Sequence, residues 1–290
     1  MSRYPLRVAI AESERSLAAA GVASPRVDAE LLAAHVLGRP RSQLLMTPLV
    51  DDDEVERLRA LTARRATREP LQHILGTAVL GPVTVDVGPG VFVPRPETEL
   101  LHEWGLGALR DVCEPLVLDL CTGSAALALA FAASRPDGCV HALEADPDAL
   151  RWARHNIAAA SSPTRDAVTL HAADVRWPDL LVELEGRVDL VVCNPPYVPD
   201  GTPVPPEVAD WDPADAVFGG PDGLEIIRAV VCAAAGLLRH GGSLAIEHDD
   251  THAESVPELL RRRRTLDDVV EHHDLTGRPR FVTARRVPAP

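Results

Sequence analysis

Lysine is absent from the chain: all 29 of its Lys-or-Arg positions are arginine, against 43 acidic residues, and the formal net charge is -14. So acidic a chain lacks the extended positive surface that holds the phosphate backbone of a nucleic acid. We therefore expect no stable nucleic-acid partner. Long apolar runs are absent too, since no stretch approaches the roughly 20 residues that a helix needs to cross a bilayer.

The N-terminal segment lacks the uninterrupted apolar core of a signal peptide, because Arg3, Arg7 and Glu12 are charged. The cysteines, 5 in all, form no Cys-x-x-Cys pair, and their odd number favours reduced, buried thiols over a disulfide framework. These absences predict a cytoplasmic protein without a membrane partner.

Metal-ligand spacing and a complete glycine loop are also missing. His248, Asp249, Asp250 and His252 lie in one short stretch, but their spacing matches no known ligand pattern, so we expect no metal. Only Gly123 is present of a possible glycine triplet at the turn it occupies, which disfavours pyrophosphate binding.

Apolar residues make up 46% of the 290 residues, enough for a full core and for two domains. Residues 1 to about 69 predict helices, with a cap at Ser24, a terminating Gly38 and an acidic start at Asp51. The pattern then changes to alternation, and segments 83–87 and 91–93 around a glycine turn predict a β-hairpin.

A buried strand is predicted over 116–120, and the small-residue turn 121–125 leads it into a helix over 126–133. Such a turn lets a cofactor approach the backbone at a helix N-terminus. A second strand, 139–143, ends at Glu144, about 20 residues after the turn, where a carboxylate accepts the hydroxyls of a ribose. The alternative for Glu144 is a solvated strand end.

A third strand over 168–170 leads to Asp174, which either faces an adenine amine or is an ordinary loop carboxylate. Residues 198–222 are rich in proline and aspartate without periodicity, which predicts a long loop beside the site. Further strands are expected at 243–247 and near 281–283. The arginines 261–264 predict a solvated helix face, with an RNA contact as the alternative.

The tetrapeptide Asn194-Pro195-Pro196-Tyr197 follows the apolar strand Val188–Cys193, so Asn194 lies at the sheet edge where open α/β sheets bind ligands. An amide oxygen, a proline carbonyl and an aromatic ring together form a receptor for a planar NH2 group. Acceptors that strengthen their hydrogen bonds as this nitrogen gains positive charge favour its methylation. The alternative is a proline-rich turn without chemistry.

These motifs resemble those of the bacterial peptide chain release factor N5-glutamine methyltransferases, from near the N-terminus to about residue 286. The segments that carry the resemblance are 28–32, 70–76, 93–99, 119–124, 194–197, 219–224 and 277–281. The resemblance implies an α/β fold, a class I S-adenosylmethionine-dependent methyltransferase with a Rossmann-like seven-stranded sheet whose last strand is antiparallel. It also implies an N-terminal helical substrate-recognition domain (1–75), a β-hairpin linker (76–94) and a catalytic domain (95–290).

The activity that the resemblance implies is methyl transfer from S-adenosylmethionine to the glutamine amide of the Gly-Gly-Gln motif in class I peptide chain release factors. Asn194, Pro195 and Tyr197 are then catalytic, and Pro196 and Arg95 join them in binding the substrate. The expected cofactor-binding residues are Cys121, Thr122, Gly123, Ser124, Ala125, Glu144, Asp174, Val175 and Asn194.

Two residues depart from the family pattern: Ala125 replaces the usual glycine and Glu144 the usual aspartate. The missing glycines at 121 and 125 keep a non-catalytic binding protein open as an alternative. A DNA or RNA adenine methyltransferase is a second alternative, because an adenine amine is the same planar donor pair. A glutamine in a ribosomal protein is a further candidate target of the same motifs.

Overall fold

The computed structural model describes residues 3–288, which form two compact units. The first unit comprises the described residues up to Thr77 together with Pro205–Trp211. The second comprises Ala78–Val204 and the chain from Asp212 onward. Each unit has its own apolar core.

The first unit is mainly helical, as predicted. Its elements are β1 (Arg3–Pro5), α1 (Leu6–Ala19), α2 (Pro25–Leu37), a 3-10 helix (Arg41–Met46), β2 (Leu49–Asp51), α3 (Asp52–Ala66) and α4 (Leu71–Leu75). Helix α3 begins with a capping box, in which Asp51 and Glu54 each accept the other's backbone N–H at 2.9 Å. Helix α2 ends at Gly38, where φ is 60°. The short antiparallel pair of β1 and β2 was not predicted.

The hairpin differs from the predicted one. Its strands are β3 (Thr77–Leu80) and β4 (Val83–Asp86), and the turn between them contains Gly81, with φ of 54°. Segment 91–93 forms no strand; Val91 and Val93 are buried in the core of the second unit instead. Alternation of apolar residues predicts burial equally well in segments 83–87 and 91–93. The turn was therefore predicted after the first of these segments, whereas it lies before it.

The second unit contains a seven-stranded sheet. Its strands are β5 (Leu116–Leu120), β6 (Cys139–Glu144), β7 (Val168–Ala172), β8 (Val188–Cys193), β9 (Leu238–Glu247), β10 (Leu266–His273) and β11 (Pro279–Arg286). The order is β10-β11-β9-β8-β5-β6-β7, and only β11 runs antiparallel to its neighbours. This confirms the predicted seven-stranded sheet with its antiparallel last strand. Strand β10 was not predicted.

Helices cover both faces of this sheet. The remaining helices of the chain are α5 (Glu99–Ala108), α6 (Ala126–Ser134), α7 (Pro147–Ala159), α8 (Ser162–Asp166), α9 (Pro206–Ala209), α10 (Ala214–Val217), α11 (Glu225–Leu237) and α12 (Ser255–Arg261), and 3-10 turns lie at Pro96–Thr98, Val182–Leu184 and Asp250–His252. Helices α5, α6 and α7 pack in one apolar cluster, and α11 and α12 in the other. Strands β5, β6, β8 and β9 run parallel to one another, so their carboxyl ends lie at one shared edge of the sheet.

The segment 198–222 is not the structureless loop that its composition predicts. It contains the single-turn helices α9 and α10, and its stretch Pro205–Trp211 belongs to the first unit. Single turns leave no periodicity in a sequence, which explains the difference. Among residues 3–288, no helix is both long and apolar enough to cross a membrane.

Candidate active site

The turn after β5 has an unusual backbone. Cys121, Gly123 and Ala125 all adopt left-handed conformations, with φ of 58°, 57° and 64°. Helix α6 begins directly after Ala125, so the N–H groups of its first turn, which have no partner within the helix, lie at the carboxyl edge of the sheet. A helix N-terminus at this edge favours polar or anionic ligand groups.

Asp119, in the strand that precedes this turn, stabilises it through hydrogen bonds. Its carboxylate is buried and accepts hydrogen bonds from the Thr122 hydroxyl at 2.5 Å and the Ala128 N–H at 3.1 Å. Burial raises the pKa of Asp119 to about 7, against the lowering effect of these hydrogen bonds. Asp119 was not predicted as a site residue, although an acid within an apolar strand is the signal that identifies it.

Glu144 lies at the end of β6 and organises two loops. Its Oε2 accepts the Gly123 N–H at 2.7 Å, and its Oε1 accepts the N–H groups of Ala145 and Asp146, both at 2.9 Å. Burial raises the pKa of Glu144. Since a carboxylate has about four acceptor positions, roughly one stays available for a ligand hydroxyl. Its ribose role stays a prediction.

Asn156 on α7 connects the turn to the hairpin, and sequence reasoning missed it. Its Nδ2 donates to the carbonyl oxygens of Ser124 at 2.9 Å and Asp86 at 3.0 Å, while its Oδ1 accepts the Asp86 N–H at 2.9 Å. All the hydrogen bonds of this buried amide therefore go to backbone groups, which fixes the rear of the turn 121–125.

Sheet register brings the predicted tetrapeptide beside this turn. Leu120 at the end of β5 is the register partner of Cys193 at the end of β8, so the turn 121–125 and Asn194 leave adjacent parallel strands at the same level. The next strand, β9, places Ile246 beside Cys193, which puts Glu247 level with Asn194. The turn 121–125, Asn194 and Glu247 thus lie at one edge of the sheet, and of these only Glu247 was not predicted.

A hydrogen-bond chain connects Asn194 to Glu247. The Asn194 Nδ2 donates to the Thr98 hydroxyl at 3.2 Å, and this hydroxyl donates to Glu247 Oε2 at 2.9 Å. The Tyr197 hydroxyl donates to Glu247 Oε1 at 3.1 Å. Burial raises the pKa of Glu247 to about 7 and holds the pKa of Tyr197 well above its ordinary value. Neither Thr98 nor Glu247 was predicted as a site residue.

Two glycines allow the returning loop to pack on the tetrapeptide backbone. A Cβ atom on Gly219 would lie 2.6 Å from the Pro196 carbonyl oxygen, and one on Gly223 would lie still closer to that of Tyr197. His252 also approaches this backbone, with its Nε2 at 3.1 Å from the Tyr197 carbonyl oxygen. Any side chain at 219 or 223 would displace the residues that follow Asn194.

Two predicted site residues make their polar contacts elsewhere. The Arg95 guanidinium binds Asp212 at 2.5 Å and lies 4.9 Å from the centre of the Phe92 ring. Asp174 pairs with Arg176 at 2.7 Å, and that hydrogen bond lowers the pKa of Asp174. Val175 is buried in the apolar cluster of α11. Their assignment to substrate and cofactor stays a prediction.

Comparisons with known proteins follow the same division of the chain. Two family models match, the PrmC N-terminal domain over residues 9–76 and the methyltransferase small domain over residues 100–206. The release factor glutamine methyltransferase of Mycolicibacterium smegmatis is 54% identical over 285 residues, which cover 97% of this chain and 98% of that protein. The chain belongs to the release factor glutamine methyltransferase family. Proteins of the same name from Mycobacterium tuberculosis and Streptomyces coelicolor are 48% and 47% identical, over 97% and 96% of this chain and 91% and 96% of theirs.

As a release factor glutamine methyltransferase family member, the chain is an S-adenosylmethionine-dependent enzyme, which confirms the predicted class and cofactor and rejects the non-catalytic alternative. S-adenosylmethionine supplies the methyl group from its sulfonium centre when it is bound. The left-handed turn at 121–125 and the carboxylate of Glu144 fit a nucleoside, because they offer backbone donors and one anionic acceptor. Among residues 3–288, no three or more His, Cys, Asp or Glu side chains are arranged so that they could hold a metal ion.

Proposed function

We propose that this protein methylates the side-chain amide nitrogen of the glutamine in the Gly-Gly-Gln motif of class I peptide chain release factors, in translation termination. The observation that carries the proposal is the orientation of Asn194. Its Nδ2 is engaged by Thr98, so its Oδ1 is the end of the amide that accepts a hydrogen bond from a ligand. An acceptor placed beside the cofactor turn is what a glutamine NH2 group requires.

The chemistry follows from the weakness of the nucleophile. The lone pair of an amide nitrogen is delocalised, and the nitrogen gains positive charge as it accepts a methyl group. In the proposal, Asn194 Oδ1 and the Pro195 carbonyl accept the two N–H bonds of the glutamine amide, and the ring of Tyr197 packs on its plane. These hydrogen bonds strengthen as the charge develops, so they stabilise the transition state more than the bound substrate.

The remaining predicted residues take supporting roles in the same proposal. Cys121, Thr122, Gly123, Ser124 and Ala125 contact the methionine part of the cofactor. Glu144 accepts a ribose hydroxyl, and Val175, with Asp174 next to it, lies by the adenine. Pro196 and Arg95 complete the substrate site.

We also propose separate roles for the parts of the chain. Residues 1–75 recognise the release factor, residues 76–94 link the two domains, and residues 95–290 catalyse the methyl transfer. Residues 1–2 and 289–290 lie outside the part of the chain that the structure describes. Leu45 and Met46 of the first unit are 96% and 80% exposed, an apolar surface suited to a protein partner. Replacing both by serine is expected to raise KM for an intact release factor and to leave methylation of a short Gly-Gly-Gln peptide unchanged.

The direct test is transfer of a tritiated methyl group from S-adenosylmethionine to an unmodified release factor. Label on the Gly-Gly-Gln glutamine, and its loss when that glutamine is replaced by glutamate, is expected. A ribosomal protein fraction and an unmethylated DNA duplex, run in parallel, test the two other acceptors. Label on either of these, with none on the release factor, would reject the proposed substrate.

A further inference from the structure

We propose that Glu247 is a positioning residue for this methylation: acting through Thr98, it determines which end of the Asn194 amide faces the substrate. The inference rests on the proposed function, because that function makes the Oδ1 atom of Asn194 the substrate acceptor. Glu247 itself does not contact the reacting nitrogen. It acts through two hydrogen bonds in series, and it holds the Tyr197 hydroxyl with its second oxygen.

The direction of the hydrogen-bond chain follows from proton counting. An ionised carboxylate only accepts, so the single proton of the Thr98 hydroxyl is donated to Glu247 Oε2 at 2.9 Å. The Thr98 oxygen then accepts from Asn194 Nδ2 at 3.2 Å. The amide nitrogen is thereby turned inward and Oδ1 outward. The carboxylate at the buried end of the chain sets the orientation of the amide at the other end.

Protonation of the carboxylate at position 247 reverses the direction of both hydrogen bonds. A neutral acid or an amide at position 247 is able to donate to Thr98, whose hydroxyl then donates to Asn194. The stable partner for that donor is Oδ1, so the amide of Asn194 turns over and presents Nδ2 to the substrate. A donor then faces the donor NH2 group of the glutamine, and the buried polar groups are left unpaired.

The surroundings of Glu247 keep both protonation states within reach. The carboxyl is 1% exposed, and burial opposes its ionised form. Arg280 on β11 favours the ionised form, whereas Glu97 in the 3-10 turn before α5 opposes it. Tyr197 faces the same carboxyl and is itself close to Asp249, which lies beyond the end of β9. Hydrogen bonds from Thr98 and Tyr197 complete the shell.

The kinetic test compares substitutions at both positions of the chain. Glu247→Gln and Thr98→Val are each expected to lower kcat about 10- to 100-fold, the usual effect of a misplaced catalytic group, with the dissociation constant for S-adenosylmethionine unchanged. Thr98→Ser keeps the hydroxyl and should keep most of the activity. The double variant should be no slower than Thr98→Val alone, because both changes break one chain. Glu271→Gln, a change of the same type beside His248, is the matched control and should leave kcat unaltered.

The structural test needs no turnover. The chain contains only two asparagines, Asn156 and Asn194. Selective nitrogen-15 labelling of asparagine therefore gives two side-chain NH2 signals, and Asn194→Asp identifies one by its loss. The Asn194 signal should shift in Glu247→Gln and Thr98→Val. The Asn156 signal, whose partners are backbone carbonyls of Ser124 and Asp86, should stay in place and reports that the variants are folded.

The outcomes separate the two proposals. If the wild-type protein fails to methylate the release factor while the Asn194 signal still follows Glu247, the proposed function is wrong and the hydrogen-bond chain stands. If the enzyme is active but Glu247→Gln and Thr98→Val keep full kcat, or if the Asn194 signal does not move in either variant, the positioning role is overturned. Weakened cofactor binding in Glu247→Gln would also overturn it, because the effect would then lie in the cofactor site.

Discussion

The backbone N–H of Gly123 donates a hydrogen bond to Oε2 of Glu144 at 2.7 Å, which ties the turn after β5 to the end of β6. The other oxygen of the same carboxylate holds Ala145 and Asp146. Glu144 therefore shapes both loops of the proposed cofactor site, in addition to the ribose contact proposed for it.

Removing this carboxylate should weaken cofactor binding without unfolding the protein. Glu144→Ala is expected to raise the dissociation constant for S-adenosylmethionine about 10- to 100-fold, since hydrogen bonds to a charged group contribute about 1.5–3 kcal/mol. Titration calorimetry measures this change. Glu185→Ala, an exposed position beyond the site, is the control. Equal affinities for Glu144→Ala and the wild type would show that Glu144 has no part in the cofactor site.

The left-handed backbone at Ala125 predicts a contrast between two glycine substitutions. Ala125→Gly relieves a φ of 64° but removes a buried methyl group worth about 0.8 kcal/mol, so it should be nearly neutral. Ala128→Gly within α6 loses the same buried methyl and also about 1 kcal/mol of helix propensity. The free energy of unfolding of Ala128→Gly should therefore fall by about 2 kcal/mol. Denaturant unfolding checks both, and equal losses would contradict the role given to the Ala125 backbone.

Local pattern was sufficient to place Asn194 and Glu144. Each follows a short apolar strand, and parallel strands of one sheet end at a common edge, so the two were predicted to lie at the same site. The strand pattern and family motifs likewise predicted the sheet and its antiparallel last strand, although β10, with its exposed and charged residues, shows too little apolar periodicity to be found.

Hydrogen-bond partners distant in sequence were beyond such reasoning. Thr98 and Glu247 are 149 positions apart, and they meet because α5, which directly follows Thr98, packs against β9, a contact that no local pattern encodes. Asn156 was missed for the same reason, since its partners lie on the hairpin and the turn 121–125. The single-turn helix α9 makes ion pairs through Glu207 with Arg65 of α3 and with Arg68, and periodicity does not register such pairs.

Glu207 should anchor the segment Pro205–Trp211 within the first unit. It accepts hydrogen bonds from Arg68 at 2.8 and 2.5 Å and from Arg65 at 2.9 Å. Burial alone would raise its pKa, but these arginines lower it to about 2. Glu207→Gln is expected to cost about 2 kcal/mol, less than the 3–5 kcal/mol of an isolated buried pair because Arg65 keeps Asp28.

Hydrogen exchange in the segment 205–211 measures this anchoring. Because the pKa of Glu207 is lowered on folding, its stabilisation is present above about pH 4.5 and is lost as the pH falls towards about 2. The protection factors of these amides, which are corrected for the intrinsic pH dependence of exchange, should therefore fall in Glu207→Gln at neutral pH, and in the wild type only on acidification. Glu258→Gln, in an exposed pair with Arg262, is the control. Unchanged exchange in Glu207→Gln would mean that the ion pairs do not hold the segment.

From the titration of the Glu247 carboxyl we expect opposite pH trends for the stability of the protein and for its catalytic rate. Its pKa rises from 4.5 to about 7 on folding, so the folded state binds the proton more tightly. The contribution of this group to stability is fully present below about pH 4.5 and is lost as the pH rises through about 7, by roughly 3 kcal/mol. The stability difference between the wild type and Glu247→Gln measures this loss, since Asp119 titrates equally in both.

The kcat/KM for the release factor should rise with pH across the same range, because only the ionised carboxylate orients Asn194 for the substrate. This rise should be absent from Glu247→Gln. A profile of the same shape in both proteins would assign the titration to another group, such as Asp119, and would remove Glu247 from the account of the pH dependence.

The most direct test is mass spectrometry of the Gly-Gly-Gln peptide from a release factor treated with S-adenosylmethionine and either the wild-type protein or Asn194→Ala. We predict a mass increase of one methyl group on the glutamine with the wild type. With Asn194→Ala the rate should be about 100-fold lower, equivalent to about 3 kcal/mol of transition-state stabilisation. An unmodified glutamine after wild-type treatment, or equal rates for the two proteins, would contradict the proposed site.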